Sequence, residues 1–379
     1  MEKGYDIDIT TAVYDEVANL WQRLESNTPT HIFLSWLWVG VWLKTYQPKV
    51  ELLVVRYDGE VVALALLTRR EVLRHGLFRS KILRFGRIGD QQQDQIWPEY
   101  GGVLLAKEHR DTVPAAIIQH LLSDSEWDEI ELAAAPEYYI AGFHNTALKN
   151  IETWSAPAFG VDLRQLQRQG KNYLQSLSRN TRYQINRCKK RYAEEAALRF
   201  EVLKTPAEIE VVWPIMADLH RERWQHTPEK SGFSNACFVD FHTALLAPGC
   251  ANGVVEFSVL HVGDRFLGGL YNFVYRGCVY FYLSCLVRER DAVLKPGLLL
   301  HSYAIEHYLQ SGCEFYDFMG GDSQYKRSLG SKHCDLKTVY LQRERGILKI
   351  EQGLKQIKRL VCAASIKSAK LMKRKGLKT

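Results

Sequence analysis

The sequence lacks a run of about 20 apolar residues, the length that a transmembrane helix requires. Its most apolar run, Ile32–Leu43 (IFLSWLWVGVWL), is shorter and predicts a buried amphipathic helix. The first residues, MEKGYDIDITTAVYDEV, lack the basic and then apolar character of a signal peptide. We therefore expect a cytoplasmic protein without a membrane span.

The sequence marks of several enzyme classes are also missing. None of the eight cysteines forms a C-x-x-C pair, and all lie between Cys188 and Cys362 at spacings that fit no zinc site. No Walker loop, G-x-G-x-x-G fingerprint or nucleophile elbow of a Ser-His-Asp hydrolase is present. These absences weigh against nucleotidase, dehydrogenase and hydrolase functions, and they predict reduced cysteines and no metal site.

Positive charge is concentrated near the end of the sequence. The chain of 379 residues has a formal net charge of +7, but residues 346–379 hold ten Lys or Arg and one Glu. The remainder is near neutral, which argues against nucleic-acid binding by the whole protein. Apolar residues in this tail recur at helical spacing: Ile347, Ile350, Leu354, Ile357 and Val361. They predict a basic helix that either contacts the inner face of a membrane or packs on the body.

Two stretches of the chain share one pattern of elements. The first begins with the hairpin Glu51–Arg69 and reaches a short strand at Trp127–Leu132. The second begins with the hairpin Glu256–Tyr275 and reaches a short strand at Cys313–Phe318. Strands and helices alternate in both, which predicts an α/β (α+β) fold with two halves, each a mixed, largely antiparallel sheet flanked by helices.

The halves are placed at residues 1–163 and 164–345, followed by the tail, and a ligand cleft is expected between them. The segment Gly86–Gly102 is rich in Gly, Gln and Asp and predicts a loop. The segment Asn172–Tyr192 predicts one strongly basic helix.

The strongest candidate for chemistry is Glu314–Lys326 (EFYDFMGGDSQYK), where a buried strand ends before a glycine pair. Side chains at such strand ends face the crevice of α/β folds. Asp317 is a candidate base, or a residue that holds the base in position; Tyr325 is a candidate acid, and Lys326 a ligand for a phosphate or carboxylate. The alternative is that Asp317 only caps the turn that follows it.

A second candidate is the helix entry Val293–Leu300 (VLKPGLLL) after an aromatic strand that contains Tyr282. Backbone N–H groups at a helix N-terminus bind anions such as pyrophosphate. The residues predicted to bind an anionic cofactor are Arg288, Arg290, Lys295 and Gly297. The alternative is a plain turn from strand to helix.

Two predicted helices, the basic one and the one that carries His220, supply further candidates. Arg179 and Arg182 lie one turn apart and can present two guanidinium groups to an anionic substrate. Tyr282, on the aromatic strand, is assigned to the same substrate site. His220 is a candidate base with Glu222 nearby, and the alternative is a histidine that is only packed or exposed.

From Tyr173 to Lys326 the sequence resembles the CelD-type acetyltransferases associated with cellulose biosynthesis, a GNAT branch close to FemAB-like acyltransferases. The matching motifs are SLSRNTRYQINRCKKRY, LHRERW, FSVLHVGDRFLGGLYNFVYRGCVYFYLSC, KPGLLLHSYAIEHY and GCEFYDFMGGDSQYK. The resemblance implies two GNAT-like halves and transfer of an acyl group from acetyl-CoA or another acyl-CoA. The implied acceptor is an amine of a sugar, lipid-linked sugar or peptide precursor, in exopolysaccharide or envelope biosynthesis.

The sequence departs from the family at the pyrophosphate loop, where GNAT proteins carry spaced glycines and this chain has only Gly297. Three alternatives therefore stay open. In the first two, the donor is an acyl carrier protein or a charged tRNA, and this tRNA is the one nucleic-acid partner considered. In the third, the chain is a non-catalytic accessory protein. For catalysis, Asp317 and His220 are assigned as bases and Tyr325 as the acid.

Overall fold

The computed structural model describes residues 4–74, 78–227, 230–346 and 348. In this part of the chain thirteen strands form one mixed sheet, with helices packed on it. The strands are β1 (Asp6–Thr11), β2 (Glu51–Tyr57), β3 (Glu60–Arg74), β4 (Phe78–Phe85), β5 (Leu104–Leu105), β6 (Glu129–Pro136), β7 (Leu148–Asp162), β8 (Leu198–Leu203), β9 (Val255–Val262), β10 (Arg265–Tyr275), β11 (Cys278–Leu286), β12 (Phe315–Gly320) and β13 (Ser331–Arg343).

The α-helices lie between these strands and are numbered in the same way. They are α1 (Tyr14–Asn27), α2 (Trp36–Tyr46), α3 (Val113–Leu122), α4 (Glu137–Ala141), α5 (Leu163–Arg168), α6 (Tyr173–Ser176), α7 (Arg179–Ala193), α8 (Pro206–Trp224), α9 (Ala236–Ala251), α10 (Pro296–Gln310) and α11 (Gln324–Leu329).

The sheet repeats one arrangement of five strands. In the first half the order is β1-β2-β3-β4-β6, and in the second half it is β8-β9-β10-β11-β12. In each half the last pair is parallel and the other pairs are antiparallel. The predicted fold class is therefore confirmed: two similar halves, each a mixed, largely antiparallel sheet flanked by helices.

The two halves exchange their final strands. Strand β7 leaves the first half and pairs with β12 of the second, whereas β13 returns from the second half and pairs with β6 of the first. The exchanged strands also pair with each other along almost their whole length. One continuous sheet therefore joins the halves, and the boundary placed at residue 163 remains a prediction.

Short turns fix the register of the hairpins. Asp58 and Gly59 have φ values of 54° and 80°, and Arg276 and Gly277 have φ values of 50° and 77°. Two consecutive positive φ values match the twist of a two-residue hairpin, and the second position in each turn is the glycine that tolerates it. The hairpin predicted at Glu51–Arg69 is thus present as β2 and β3, with its turn at Asp58-Gly59.

A shared hydrophobic core holds the halves together on one side of the sheet. The apolar run of the sequence becomes a short 3-10 turn, Ile32–Leu34, and then α2, which is capped by the Ser35 side chain. Trp38 of α2 packs 4.7 Å, between ring centroids, from Phe241 of α9. Helices from the two halves therefore bury their apolar faces against each other, and this fixes the cleft between them.

Two details differ from the sequence-based expectations, and a third lies outside the part of the chain that the structure describes. The basic segment 172–192 forms two helices, α6 and α7, because Ser178 caps a new helix by accepting a hydrogen bond from the Thr181 N–H. Strands β1 and β8 were not predicted, since each is a short, partly exposed edge strand. The predicted basic helix of the tail lies almost entirely outside the described residues.

None of the helices in the described part of the chain combines the length and apolarity that crossing a bilayer requires.

Candidate active site

The main cleft opens where β11 and β12 part. Their parallel pairing ends at Tyr280 and Asp317, although β11 continues to Leu286 and β12 to Gly320. The ladder between β10 and β11 also skips Tyr282, so β11 carries a bulge at this point. A cavity of about 1140 Å³ lies here, lined by residues of both halves. The cleft expected between the halves is therefore present.

The first half contributes the 86–102 loop to this cavity. Several hydrogen bonds fix the loop on the second half, and three of them illustrate the contact. Tyr282 Oη donates to the Ile96 carbonyl at 2.6 Å, and Asn235 Nδ2 donates to the Gln92 carbonyl at 2.7 Å. The third is donated by Tyr100 Oη to Asp317 Oδ2 at 2.5 Å. The wall of the cavity thus depends on contacts between the halves.

Asp317 lies behind the cavity wall, where its carboxylate is already engaged. Besides Tyr100, it accepts the Met319 N–H at 2.7 Å and lies 3.3 Å from His333 Nε2. Burial opposes protonation of His333, but hydrogen bonds and charge interactions with Asp317 and Cys334 together outweigh it and raise the pKa of the imidazole to about 10. The buried Asp317 therefore forms an ion pair with the partly exposed His333 and holds Met319 in a left-handed turn, with φ 60°.

Glu99 reaches from the loop to the glycine pair that follows β12. Its carboxylate accepts the Gly320 N–H at 2.7 Å and contributes to the cavity lining. Burial raises the pKa of Glu99 to about 7, although the Gly320 bond and the charge of Lys326 act in the opposite direction. A carboxylate with this pKa exchanges protons near neutral pH, as a general base must.

Lys326 closes the other side of the glycine turn. Its Nζ donates to the Gly320 carbonyl at 2.6 Å and to the Met319 carbonyl at 3.3 Å, and the residue contributes to the cavity lining. Burial lowers the pKa of Lys326. Lys326, which was predicted to bind an anion, thus lies in the cavity, and two of its three N–H donors are directed at backbone carbonyls.

Two of the predicted acid–base residues also line the cavity. Burial raises the pKa of Tyr325 to about 12, so its phenol is neutral and able to donate a proton at pH 7. His220 Nδ1 lies 2.7 Å from Ser231 Oγ. Burial, and then the charge of Arg223, lowers the pKa of His220 to about 4, so this imidazole is neutral and weakly basic.

Arg223 adds a positive charge that sequence reasoning passed over. It ends α8, lines the cavity and has its guanidinium carbon 5.8 Å from the centre of the Trp224 ring. Among the residues that the structure describes, no carboxylate lies within ion-pair distance of it. Arg223 is therefore placed to bind an anionic group of a ligand.

The far wall of the cavity holds a buried ion pair between β4 and β6. Arg84 Nε donates to Glu131 Oε2 at 2.5 Å, and both side chains are buried. The guanidinium lies directly under Gly89, where a Cβ would come within 2.5 Å of Arg84 Nη1. Asp94 fixes this turn by accepting the N–H groups of Ile88 and Gly89.

The remaining predicted substrate residues fall into two groups. Tyr282 lines the cavity, but its hydroxyl donates to Ile96 and lies 2.9 Å from His242 Nε2. Because this hydroxyl donates to a carbonyl, His242 must donate through Nε2. Arg179 and Arg182 lie on the first turn of α7, outside the cavity.

The predicted cofactor residues surround the N-terminus of α10. Lys295 occupies the N-cap position, and its Nζ donates to Gln184 Oε1 at 2.7 Å. Gly297 packs closely on Leu286, since a Cβ there would lie 2.7 Å from Leu286 Cδ1. Arg288 and Arg290 are exposed on the preceding loop. These residues form one basic rim, and cofactor binding by them remains a prediction.

Glu99 is the residue that sequence reasoning missed. It stands in an irregular loop, in the run Ile96-Trp97-Pro98-Glu99, and no spacing connects it with the glycine pair more than two hundred positions later. Only the docking of the loop on the second half reveals its position. Within the described ranges, no group of three or more His, Cys, Asp or Glu side chains is arranged to hold a metal ion.

Comparison with known proteins supports the fold and one domain. Residues 179–327 match the family model described as the acetyltransferase (GNAT) domain. No curated protein matched the chain in sequence. The solved structure of FemX is similar with a TM-score of 0.54 and 10% identity, covering 87% of this chain and 96% of FemX.

Two further solved structures show the same likeness. One is the C-terminal domain of a protein described as a lysylphosphatidylglycerol synthetase from Agrobacterium fabrum, with a TM-score of 0.51, 10% identity, and coverage of 92% of this chain and 97% of that one. The other is L-PGS from Bacillus licheniformis, with a TM-score of 0.50, 9% identity, and coverage of 90% and 95%. The chain therefore has a GNAT-type acyltransferase fold and carries an acetyltransferase (GNAT) domain in its second half.

Proposed function

We propose that the protein is an acyltransferase that moves an acyl group from an activated donor to an amine inside the cavity at the β11–β12 opening. The observation that carries this proposal is the meeting of Glu99 from one half with Tyr325 and Lys326 from the other, around one cavity. The GNAT domain match and the GNAT-type fold support it.

The reaction needs one base and one acid. The amine nitrogen attacks the acyl carbonyl carbon, and Glu99 takes the proton that the nitrogen loses. The tetrahedral intermediate then expels the leaving group, a thiolate if the donor is a thioester, and Tyr325 supplies its proton. Because the pKa of Glu99 is raised to about 7, this carboxylate can take up a proton at neutral pH. Because the pKa of Tyr325 is raised to about 12, its phenol still carries the proton to be donated.

This proposal changes two roles assigned from the sequence. Asp317 becomes a positioning residue, because its carboxylate is bound by Tyr100, Met319 and His333 behind the wall. By holding the Met319 turn, it presents the Gly320 N–H to Glu99. His220 is a weaker base than Glu99, since its pKa is lowered to about 4, and its role in catalysis remains a prediction.

For the donor we propose acetyl-CoA or another acyl-CoA, as the sequence resemblance implies. The basic rim at the N-terminus of α10 follows β11 directly, and Arg223 lies at the opening itself. A helix N-terminus with adjacent cations suits the pyrophosphate and phosphate groups of CoA. The acceptor classes proposed are a sugar, a lipid-linked sugar or a peptide precursor of envelope or exopolysaccharide biosynthesis.

A transferase that uses charged tRNA is the second candidate. It is favoured by the likeness to FemX over 96% of that structure, and to a protein whose name denotes formation of lysylphosphatidylglycerol. A non-catalytic accessory role is the third candidate. Membrane contact through the tail, and a location at the inner face of the membrane, remain predictions.

Thermal-shift and isotope-transfer assays on the full chain separate these candidates. Acetyl-CoA, longer acyl-CoAs and charged tRNA are added in turn, and acyl transfer from radiolabelled donors is followed with mixed amine acceptors. Stabilisation by an acyl-CoA with transfer that Glu99→Gln abolishes supports the first candidate. Stabilisation by charged tRNA alone supports the second, and no response to any donor overturns the enzymatic proposal.

A further inference from the structure

The cavity presents one aromatic ring to solvent. Trp97, on the 86–102 loop, contributes to the lining and keeps 40% of its surface exposed. Its inner edge packs on Phe238, with ring centroids 5.4 Å apart, so the ring is supported from below. An exposed apolar surface inside a cleft is typical of a binding surface.

The backbone holds this ring outward. Trp97 has a φ of 42°, in the left-handed region that a bulky residue rarely adopts. The Trp97 N–H donates to the Asp94 carbonyl at 3.3 Å, and the Ile96 carbonyl is fixed by Tyr282. A conformation that is disfavoured locally but fixed from both sides is characteristic of functional loops.

Polar amides lie next to the ring. Gln91 and Gln92 line the same cavity, and their side chains form no hydrogen bonds with the described part of the protein. Each amide offers two donors and an acceptor that can serve a ligand. The cavity therefore combines one flat apolar face with free groups of both hydrogen-bonding types.

The charge of the loop limits which ligands fit. Residues 86–102 contain Arg87 and three carboxylates, Asp90, Asp94 and Glu99, for a net charge of −2. Beside Trp97 such a loop attracts a protonated amine and disfavours an anionic group, whereas positive charges that have no ion-pair partner among the described residues lie on other segments of the cavity, at Arg223 and Lys326. A neutral or cationic ring is thus a better match for Trp97 than the ring of an anionic ligand.

We infer that the acceptor is an amino sugar whose pyranose ring stacks on Trp97 while Gln91 and Gln92 bind its hydroxyl groups. A pyranose has an apolar face of C–H groups, which suits the negative face of an indole, and a rim of hydroxyl groups, which suits amides. This inference rests on the proposed function and selects the sugar among the acceptors considered there.

The spacing along the loop brings such a sugar near the base. Trp97 and Glu99 are two positions apart, so their Cα atoms are separated by at most about 7 Å. Because both residues line the same cavity, a sugar on Trp97 occupies the cavity to which Glu99 also contributes. A single loop thus carries the platform and the base.

Saturation-transfer NMR and fluorescence titration with the full chain test the inference without requiring turnover. The probes are a glucosamine tetrasaccharide, its N-acetylated counterpart and an alanine tetrapeptide. We expect the glucosamine tetrasaccharide to bind and Trp97→Ala to weaken it at least tenfold, with partial recovery in Trp97→Phe. Trp154→Ala is the matched control, because Trp154 is 42% exposed on β7 and outside the cavity.

The possible outcomes test the sugar inference and the enzymatic proposal separately. Equal binding by the wild type and Trp97→Ala, or binding of the tetrapeptide alone, overturns the sugar inference and leaves acyl transfer intact. Sugar binding that depends on Trp97, combined with no transfer from any donor, supports a sugar site and overturns the enzymatic proposal. If Trp97→Ala loses helical circular dichroism, Trp97→Phe and the double variant Gln91→Ala/Gln92→Ala take its place. Unchanged binding of the glucosamine tetrasaccharide by the double variant contradicts the inference.

Discussion

The hydroxyl of Tyr100 donates a hydrogen bond of 2.5 Å to Oδ2 of Asp317, a residue 217 positions later in the chain. Tyr100 belongs to the loop of the first half and Asp317 to strand β12 of the second. Asp317 also binds the Met319 N–H and His333, so one carboxylate connects three backbone segments. The position of Glu99, next to Tyr100, follows from this contact.

Asp317→Asn should remove the ion pair with His333 while it preserves the shape of the side chain. In the wild type the pKa of His333 is raised to about 10, so the ion pair contributes its full stability below the unfolded pKa of about 6.5 and loses it as the pH rises toward 10. The variant should be less stable by roughly 1.5–3 kcal/mol near pH 6, as for the loss of a hydrogen bond to a charged group, and show a flatter pH dependence.

Urea denaturation between pH 6 and pH 10 measures both effects. Tyr100→Phe is the matched control, because it removes a hydrogen bond to Asp317 without changing the charge that faces His333. An identical pH dependence in the wild type and Asp317→Asn would show that His333 does not depend on this carboxylate.

Glu99→Gln should remove the general base. A loss of about 10²–10⁴-fold in kcat is expected, with little change in donor affinity. In the wild type, transfer should rise with pH through about 7 as Glu99 loses its proton, and this limb should vanish in the variant. The exposed Glu108 supplies a control, since Glu108→Gln lies outside the cavity. A pH profile that keeps the limb in Glu99→Gln assigns the titration to another group.

The sequence predicts much of the fold because the signals of strands and turns are local. The strands around Asp58-Gly59 and Gly263-Asp264 are mainly apolar runs, and each pair meets in a short turn. Strands β6 and β12, which pair in parallel with β4 and β11, were each predicted as a further strand after a helix. The exchange of β7 and β13 leaves no such signal, because it depends on which edges are free after both halves have formed.

The candidate site is predictable only where it is built from one segment. Tyr325 and Lys326 follow a buried strand and a glycine pair, and both reach the cavity. Asp317 is on the same strand but points behind the wall, a difference that comes from Tyr100 of the other half. Glu99 carries no motif, and Arg223 stands in the LHRERW motif, where only His220 received a role. Their relation to the cavity appears only when the two halves pack together.

Arg223→Ala should weaken binding of an anionic donor. The guanidinium lies at the opening of the cavity without an ion-pair partner among the described residues, so a ligand phosphate meets a charge that no carboxylate neutralises. Loss of one charge-assisted hydrogen bond typically costs about 1.5–3 kcal/mol, or roughly tenfold to a hundredfold in Kd. Calorimetric titration with acetyl-CoA at two salt concentrations measures the loss. Arg168→Ala, on exposed α5, should leave the affinity unchanged, and an equal Kd for wild type and Arg223→Ala excludes this contact.

The last prediction compares two glycines that have almost the same backbone conformation. Gly59 and Gly89 have φ values of 80° and 77°, but the Cβ position is free at Gly59 and only 2.5 Å from Arg84 Nη1 at Gly89. Gly59→Ala should therefore cost only the conformational penalty of a left-handed alanine, about 1–2 kcal/mol.

Gly89→Ala adds displacement of the Arg84 guanidinium from Glu131, which should cost roughly 3 kcal/mol more, as for breaking a buried ion pair. Urea denaturation of the two variants isolates the contact, because the backbone penalty is common to both. Equal losses would mean that Arg84 moves aside into the cavity at no cost. A larger loss in Gly89→Ala shows instead that the turn fixed by Asp94 holds the buried ion pair of the first half in place.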